Sequence, residues 1–200
     1  MITVLMISTD RHEKYLRSSV PSVMAMEDPG CGFEVVIINN GGKIKQDVDL
    51  RRKVNLATAC NIGIKQSEGD FIVRVDVDDV VDSQLLVSLY GKADITWCDY
   101  IIFNDRKEIY YPQTQLEHAC GVMFPKDLWK EAGGFDETLD YQESFDLWQR
   151  IGGSRLHIER GLYYYRRGHD QLSANPNRDH TIELLNNKYP DAKRNPVPVL

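Results

Sequence analysis

The 200-residue chain lacks several features that would have named its class at once. Its longest apolar runs, Ile2–Ile7 and Val35–Ile38, fall far short of the ~20 consecutive residues that a membrane-spanning helix needs. The run at the N-terminus has no basic segment before it and is followed directly by Asp10, Arg11, His12, Glu13 and Lys14. It therefore reads as a buried first strand rather than a secretion signal, and the expected location is cytoplasmic. Excess positive charge is also missing: 24 basic against 30 acidic residues leave a net charge of −6, so the usual driving force for holding nucleic acid is absent. The four cysteines, Cys31, Cys60, Cys98 and Cys120, form no CxxC pair and no dense framework, which leaves them as reduced packing residues. Neither repeats nor low-complexity tracts occur. At 42% apolar and 27% charged, the composition is that of one globular domain with a real core.

What is present is an alternation of apolar runs with helical patterns. Strands are predicted at Thr3–Ser8, Phe33–Ile38 and Phe71–Val75, with helices near His12–Met26, Ala57–Ser67 and Ser83–Tyr90 between and after them. That order predicts an α/β fold with a mainly parallel sheet, and the all-apolar Val35–Ile38 predicts helices on both faces. Beyond Ala93 the rhythm changes, with strands at Ile95–Phe103, Glu108–Tyr111 and Ala119–Phe124. A short helix opened by Pro125 then stops at Gly133-Gly134. A further helix over Glu143–Ile151 carries Phe145, Trp148 and Ile151 on one side and Glu143, Asp146 and Arg150 on the other, a polar side free to meet a cleft or solvent. A last helix is predicted at Thr181–Tyr189.

The densest chemistry follows the strand Phe71–Val75, where Asp76-Val77-Asp78-Asp79 places three carboxylates in four positions. In open α/β sheets the C-terminal ends of the strands are where ligands bind. Three like charges repel unless a cation joins them, and oxygen donors suit a hard divalent ion bound to a phosphorylated ligand. The plainer alternative is that these aspartates cap the next helix.

Taken in order, Phe33–Gly41, Asn61-Ile62-Gly63, Glu68–Ile72, Asp76–Asp79, Gly133–Glu137 and Glu143–Arg150 resemble the family 2 glycosyltransferases of the GT-A fold, a Rossmann-like three-layer architecture. The resemblance covers roughly residues 2–173. It implies an inverting transfer of sugar from a nucleotide-diphosphate donor, in the family usually a UDP-sugar, to an acceptor hydroxyl on a saccharide, a lipid-linked molecule or a protein. It further implies Mn²⁺ or Mg²⁺ held by Asp76, Asp78 and His169, with Asp78 coordinating directly, Asp76 or Asp79 reaching the ribose or metal-bound water, and the ion stabilising the leaving diphosphate. Donor binding would fall to Ser8, Asp10, Asn40, Asn61, Asp76 and Asp78, with Arg166 and Arg167 neutralising the diphosphate.

Three positions depart from the family pattern. Asn40 stands where an aspartate is common, which bears on the identity of the base, and Cys60 stands where an arginine is common. Ser144 occupies the place of the usual aspartate base; a hydroxyl is not basic enough to replace it, so Glu143 is assigned the proton-accepting role. Asp146 is read as a structural ion pair with Arg150 at i+4. The expected organisation is a catalytic domain over 1–173, with a nucleotide-binding half at about 1–93 and an acceptor half at about 94–173, followed by a helical appendage and tail at 174–200. Two other readings compete. A nucleotide-sugar-binding remnant would keep the fold without turnover. A sugar-phosphate nucleotidyltransferase would want a glycine-rich first loop, which Ser8–Glu13 does not provide.

Overall fold

The computed structural model describes residues 1–50, 52–104, 106–168 and 178–192. Three parallel strands make the first half of the sheet: β1 (Ile2–Ser8) lies between β2 (Phe33–Asn39) and β4 (Phe71–Arg74), and the two-residue β3 (Val48–Asp49) extends the β2 edge. The second half is mixed. Strand β8 (Val122–Pro125) joins β4 antiparallel and leads to β6 (Ile95–Phe103), which pairs in parallel with the long β9 (Arg155–Arg166). The short β5 (Val80–Val81) closes the far edge, and β7 (Glu108–Tyr111) pairs off β6, giving the order β3-β2-β1-β4-β8-β6-β9-β5.

Every residue of β1 is buried because both faces of the sheet are covered. Leu5 and Ile7 point into a core shared with α2 (Leu56–Gln66), α4 (Lys126–Glu131) and α5 (Glu143–Arg150). Ile2, Val4 and Met6 point the other way, toward Val23 of α1 (Leu16–Met24) and Leu85, Leu86 and Leu89 of α3 (Leu85–Leu89). Alternate Cβ directions along one strand thus feed two separate cores. Helix α2 lies so close to the sheet that a Cβ on Gly63 would fall 2.4 Å from Leu5 Cδ1, so glycine is what permits the approach. At the start of this helix Asn55 caps the Thr58 N–H with its side chain at 2.9 Å.

Several expected elements change in detail. The helix predicted from His12 begins only at Leu16, since Thr9 carbonyl accepts from the His12 and Glu13 N–H groups and turns the chain first, after which Glu13–Tyr15 forms a 3₁₀ turn. Strand β9 is only partly apolar: Arg155, Glu159 and Arg160 are exposed, whereas Leu162 and Tyr163 are buried. The polar side of α5 is divided, Glu143 lining a cleft and Asp146 packing away from it. Residues 143–148 are all buried, Glu143 against the sheet ends and Asp146 against α6 (Arg178–Lys188). Asp146 accepts from Arg150 Nε at 2.8 Å, Lys188 Nζ at 2.7 Å and the Tyr189 hydroxyl at 2.9 Å, which ties α6 to the domain. Among the described residues no helix is long and apolar enough to cross a membrane. All four cysteines are free, and burial pushes the Cys60 and Cys98 thiols up to about 12.

Candidate active site

The parallel strands β1, β2 and β4 end at one edge of the sheet, so the loops that follow them, Thr9–His12, Asn40–Gly42 and Val75–Asp79, open on the same side. A cleft of about 500 Å³ lies there. Thr9, Arg11, His12, Asn40 and Lys53 line one part of it, Asp76 and Asp78 another, and His118, Gln142, Glu143 and Ser144 a third.

Asp76, Asp78 and Asp79 each bring a carboxylate oxygen within 4.8 Å of the others. The three are held differently. Asp79 is 1% exposed; its oxygens accept from the Tyr163 hydroxyl and the Arg166 backbone N–H, both at 2.7 Å. Burial, reinforced by the charges of Asp78 and Asp76, pushes its carboxyl well above the usual range. Asp76 is gripped by both ends of one guanidinium, Arg74 Nε to Oδ1 at 2.8 Å and Nη2 to Oδ2 at 3.1 Å. Burial alone would raise the Asp76 carboxyl, but Arg74 outweighs it and holds the group below the ordinary carboxylate value. The Asp76 N–H donates to the Tyr163 hydroxyl at 3.0 Å, so one tyrosine ties together the two ends of the acidic loop. Oxygen donors this close could hold a divalent cation.

Arg74 is the residue that sequence reasoning missed. Its side chain is 7% exposed, and besides Asp76 it binds Glu143, Nη1 to Oε1 at 3.2 Å. The signal was available: an arginine within an otherwise apolar strand buried on both faces has to find carboxylates. It also stands beside Cys60, at the position where a family arginine was expected. His118 was missed as well. Its Nε2 is buried with no hydrogen-bond partner among the described residues, and the residue lines the cleft. Burial keeps it below the ordinary histidine value, aided by Arg74 and Arg167 and opposed by Glu117 and Glu143.

The expected donor-binding residues are only partly gathered. Asn40, Asp76 and Asp78 line the cleft, and Glu143 faces them. The Asn40 amide is occupied at both ends, donating to the Val54 carbonyl and accepting from the Val54 N–H, each at 2.9 Å, so it fixes the loop that carries Lys53. Ser8 is buried, with its neighbours Ile7 and Thr9 at the cleft wall. Asp10 is exposed and pairs with Lys53 at 3.1 Å. Asn61 lies outside the cleft, its amide stapling α2 to Phe135 and Glu137: Nδ2 donates to the Phe135 carbonyl at 2.9 Å and Glu137 Oε1 at 2.8 Å, and Oδ1 accepts from the Phe135 N–H at 2.9 Å. Arg166 stacks over Tyr15 and Phe103 and donates to the Asp78 carbonyl at 2.7 Å, while Arg167 lies over Tyr165. His169 lies outside the described residues. An unusual backbone precedes the candidate base: Gln142 adopts φ 62°, ψ 25°, a left-handed conformation uncommon for a side-chain-bearing residue.

The family profile described as Glycosyl transferase family 2 matches residues 3–118. An uncharacterized glycosyltransferase of Rickettsia typhi is 23% identical over 199 residues, covering 80% of this chain and 62% of its own length. The uncharacterized glycosyltransferase EpsJ of Bacillus subtilis is 28% identical over 203 residues, covering 78% and 59% respectively. The chain thus spans about 60% of the length of these two relatives. Among solved structures, residues 1–349 of Staphylococcus aureus TarS in complex with UDP-GlcNAc superpose with a TM-score of 0.74 at 14% identity, over 97% of this chain and 68% of that one. The expected GT-A α/β architecture is therefore the fold of this chain.

Proposed function

Because the chain belongs to glycosyl transferase family 2, we propose that it moves a sugar from a nucleoside diphosphate donor, a UDP-sugar, to an acceptor hydroxyl with inversion at the anomeric carbon. The observation that carries this reading is the convergence of the acidic loop with the β1 and β2 loops on one cleft. Base and ribose lie between the Thr9–His12 loop and the Asn40 loop, which leaves the diphosphate beside Asp78, with Arg11 and Lys53 as the nearby cations on the wall. A TarS structure holding UDP-GlcNAc in the same fold supports a uridine donor.

A divalent ion, Mn²⁺ or Mg²⁺, held by Asp78 with Asp76 would compensate the charge that develops on the departing diphosphate. Arg166 holds the Asp78 carbonyl and so sets where the neighbouring carboxylate stands. Tyr163 fixes the turn from Asp76 to Asp79. The acceptor enters opposite the diphosphate, at the wall made by His118, Gln142, Glu143 and Ser144, where its proton is taken. In-line attack from that side is what inversion demands, since the hydroxyl and the leaving group must flank the anomeric carbon.

The test is release of UDP from a panel of UDP-sugars, with and without Mn²⁺, in the wild type and Asp78→Ala. Metal-dependent release that disappears in the variant is the expected result. Metal-dependent donor binding with no release from any sugar would favour the remnant reading, to which Ser144 and the Arg74 grip on both Asp76 and Glu143 lend weight.

A further inference from the structure

Arg74 closes β4, a strand whose last three residues are buried, and carboxylates engage every nitrogen of its guanidinium. Nε and Nη2 donate to the two oxygens of Asp76 at 2.8 and 3.1 Å, and Nη1 donates to Glu143 Oε1 at 3.2 Å. Ser144 Oγ donates to the same Glu143 oxygen at 3.0 Å, which steadies the far anchor of the guanidinium. With its side chain 7% exposed, Arg74 is screened little by solvent, and a guanidinium stays charged across the ordinary pH range.

A fixed positive charge therefore lies against the acidic loop before any ion arrives. Asp76, Asp78 and Asp79 bring carboxylate oxygens within 4.8 Å of one another, a spacing at which like charges repel unless something compensates them. The protein itself supplies compensation: Arg74 for Asp76, and the Tyr163 hydroxyl with the Arg166 N–H for Asp79. Each Asp76 oxygen keeps a second lone pair, so ligation of an ion stays open to it. An ion ligated there would share its carboxylate with the guanidinium, and two cations on one carboxylate repel strongly where solvent is scarce. A nucleoside diphosphate changes the balance, because it brings negative charge and oxygen donors of its own to the ion.

We propose that Arg74 is a positioning residue that keeps the acidic loop compensated while no donor is bound, so that a divalent ion binds appreciably only together with the nucleoside diphosphate; the inference rests on the glycosyl-transfer reading. Ion and nucleotide then raise each other's affinity by the same factor, as linkage requires. Glu143, by holding Nη1, keeps the guanidinium turned toward Asp76.

The experiment titrates Mn²⁺ with and without UDP, following the free ion by electron paramagnetic resonance and correcting for Mn²⁺ that UDP binds in solution. It compares the wild type with Arg74→Met, Arg74→Gln and Arg74→Lys, each checked for folding by circular dichroism. In the wild type UDP should tighten Mn²⁺ binding by at least about tenfold. Without UDP, the two neutral variants should bind Mn²⁺ about tenfold more tightly than the wild type, because Asp76 has lost its competing cation. Arg74→Lys keeps the charge and should stay near the wild type, and adding Asp78→Asn to Arg74→Met should remove the gain. A merely structural arginine predicts the opposite sign, since a loosened loop holds an ion less well. Neutral variants that bind Mn²⁺ no more tightly than the wild type, or a gain that survives Asp78→Asn, overturn the proposal. If neither neutral variant folds, the wild-type titrations decide: tightening by UDP supports the proposal, and equal Mn²⁺ affinity with and without UDP overturns it. If calorimetry finds no UDP binding to the wild type with or without Mn²⁺, the glycosyl-transfer reading itself fails. If UDP binds and the neutral variants show no gain, only the role of Arg74 falls.

Discussion

Replacing Arg74 by methionine keeps the length and apolar stem of the side chain and deletes the guanidinium that Asp76 and Glu143 share. Three contacts go with it, at 2.8 and 3.1 Å to Asp76 and 3.2 Å to Glu143. Removing one partner of a buried ion pair typically costs about 3–5 kcal/mol, because the charge left behind stays in a poorly solvated place. Here Asp76 is 28% exposed and water recovers part of its solvation, whereas Glu143 is 10% exposed and recovers little. The expected loss therefore sits at the lower end, about 3 kcal/mol. In urea the midpoint should fall with the slope unchanged. Arg74→Lys keeps the charge but loses the two-pronged grip on Asp76, and should lie between wild type and Arg74→Met. The pH dependence carries a sign. Arg74 holds the folded-state Asp76 carboxyl below its unfolded value of about 3.9. That stabilisation is present above the unfolded value and is lost as pH falls through the folded one, so the gap between wild type and Arg74→Met should narrow below about pH 4. A methionine variant as stable as the wild type at pH 7, to within about 0.5 kcal/mol, would refute the view that Arg74 compensates these carboxylates.

Four other perturbations probe the scaffold. Asp146→Ala removes the carboxylate that binds Arg150, Lys188 and Tyr189; Arg150 keeps its bonds to the Ala132 and Gly134 carbonyls and Lys188 is half exposed, so the loss should be about 2 kcal/mol, with residues 178–192 more open to limited proteolysis. Burial would raise the Asp146 carboxyl, but its bonds to Lys188, Arg150 and Tyr189 hold it below the ordinary value; the wild-type advantage over this variant should therefore fade as pH drops below about 4. At Gly69 a Cβ would lie 2.5 Å from the Thr3 backbone nitrogen and 2.8 Å from the Ile2 carbonyl carbon, so Gly69→Ala should cost about 2–3 kcal/mol in urea titrations. Gly30→Ala, where a Cβ meets nothing within 4 Å, should cost only the strain of its positive φ, about 1 kcal/mol. At position 142 valine should be about 1–2 kcal/mol less stable than asparagine by thermal melting, because a β-branched residue resists the left-handed backbone that asparagine tolerates.

The N-terminal half of the fold was readable in the chain because its strands are covered on both faces: Val35–Ile38 is all apolar, and every residue of β1 turned out to be buried. The acidic loop was equally visible, since three aspartates directly after such a strand repel one another until a cation or protein donors compensate them. What stayed hidden depended on contacts far apart in sequence. Arg74 passed as part of an apolar strand because its meaning lies in Glu143, 69 residues away. Asn61, read by position as a donor contact, is spent on Phe135 and Glu137, and nothing in its local sequence announces that staple. The first part of β9 mixes Arg155, Glu159 and Arg160 with Leu156 and Ile158, and its pairing with β6 joins segments far apart in sequence. His118 sits in a stretch with no periodicity, and its place at the cleft is set by the return of the chain into β8.

The measurement that bears most directly on the account is calorimetric binding of UDP with and without Mn²⁺, in the wild type and in Asp78→Asn, a change that removes the charge and keeps the shape. The account predicts that Mn²⁺ tightens UDP binding to the wild type by at least about tenfold, roughly 1.4 kcal/mol, and leaves binding to Asp78→Asn unaltered. Equal tightening in both proteins would contradict it, since the ion and the diphosphate would then meet without the aspartate on which the site is built.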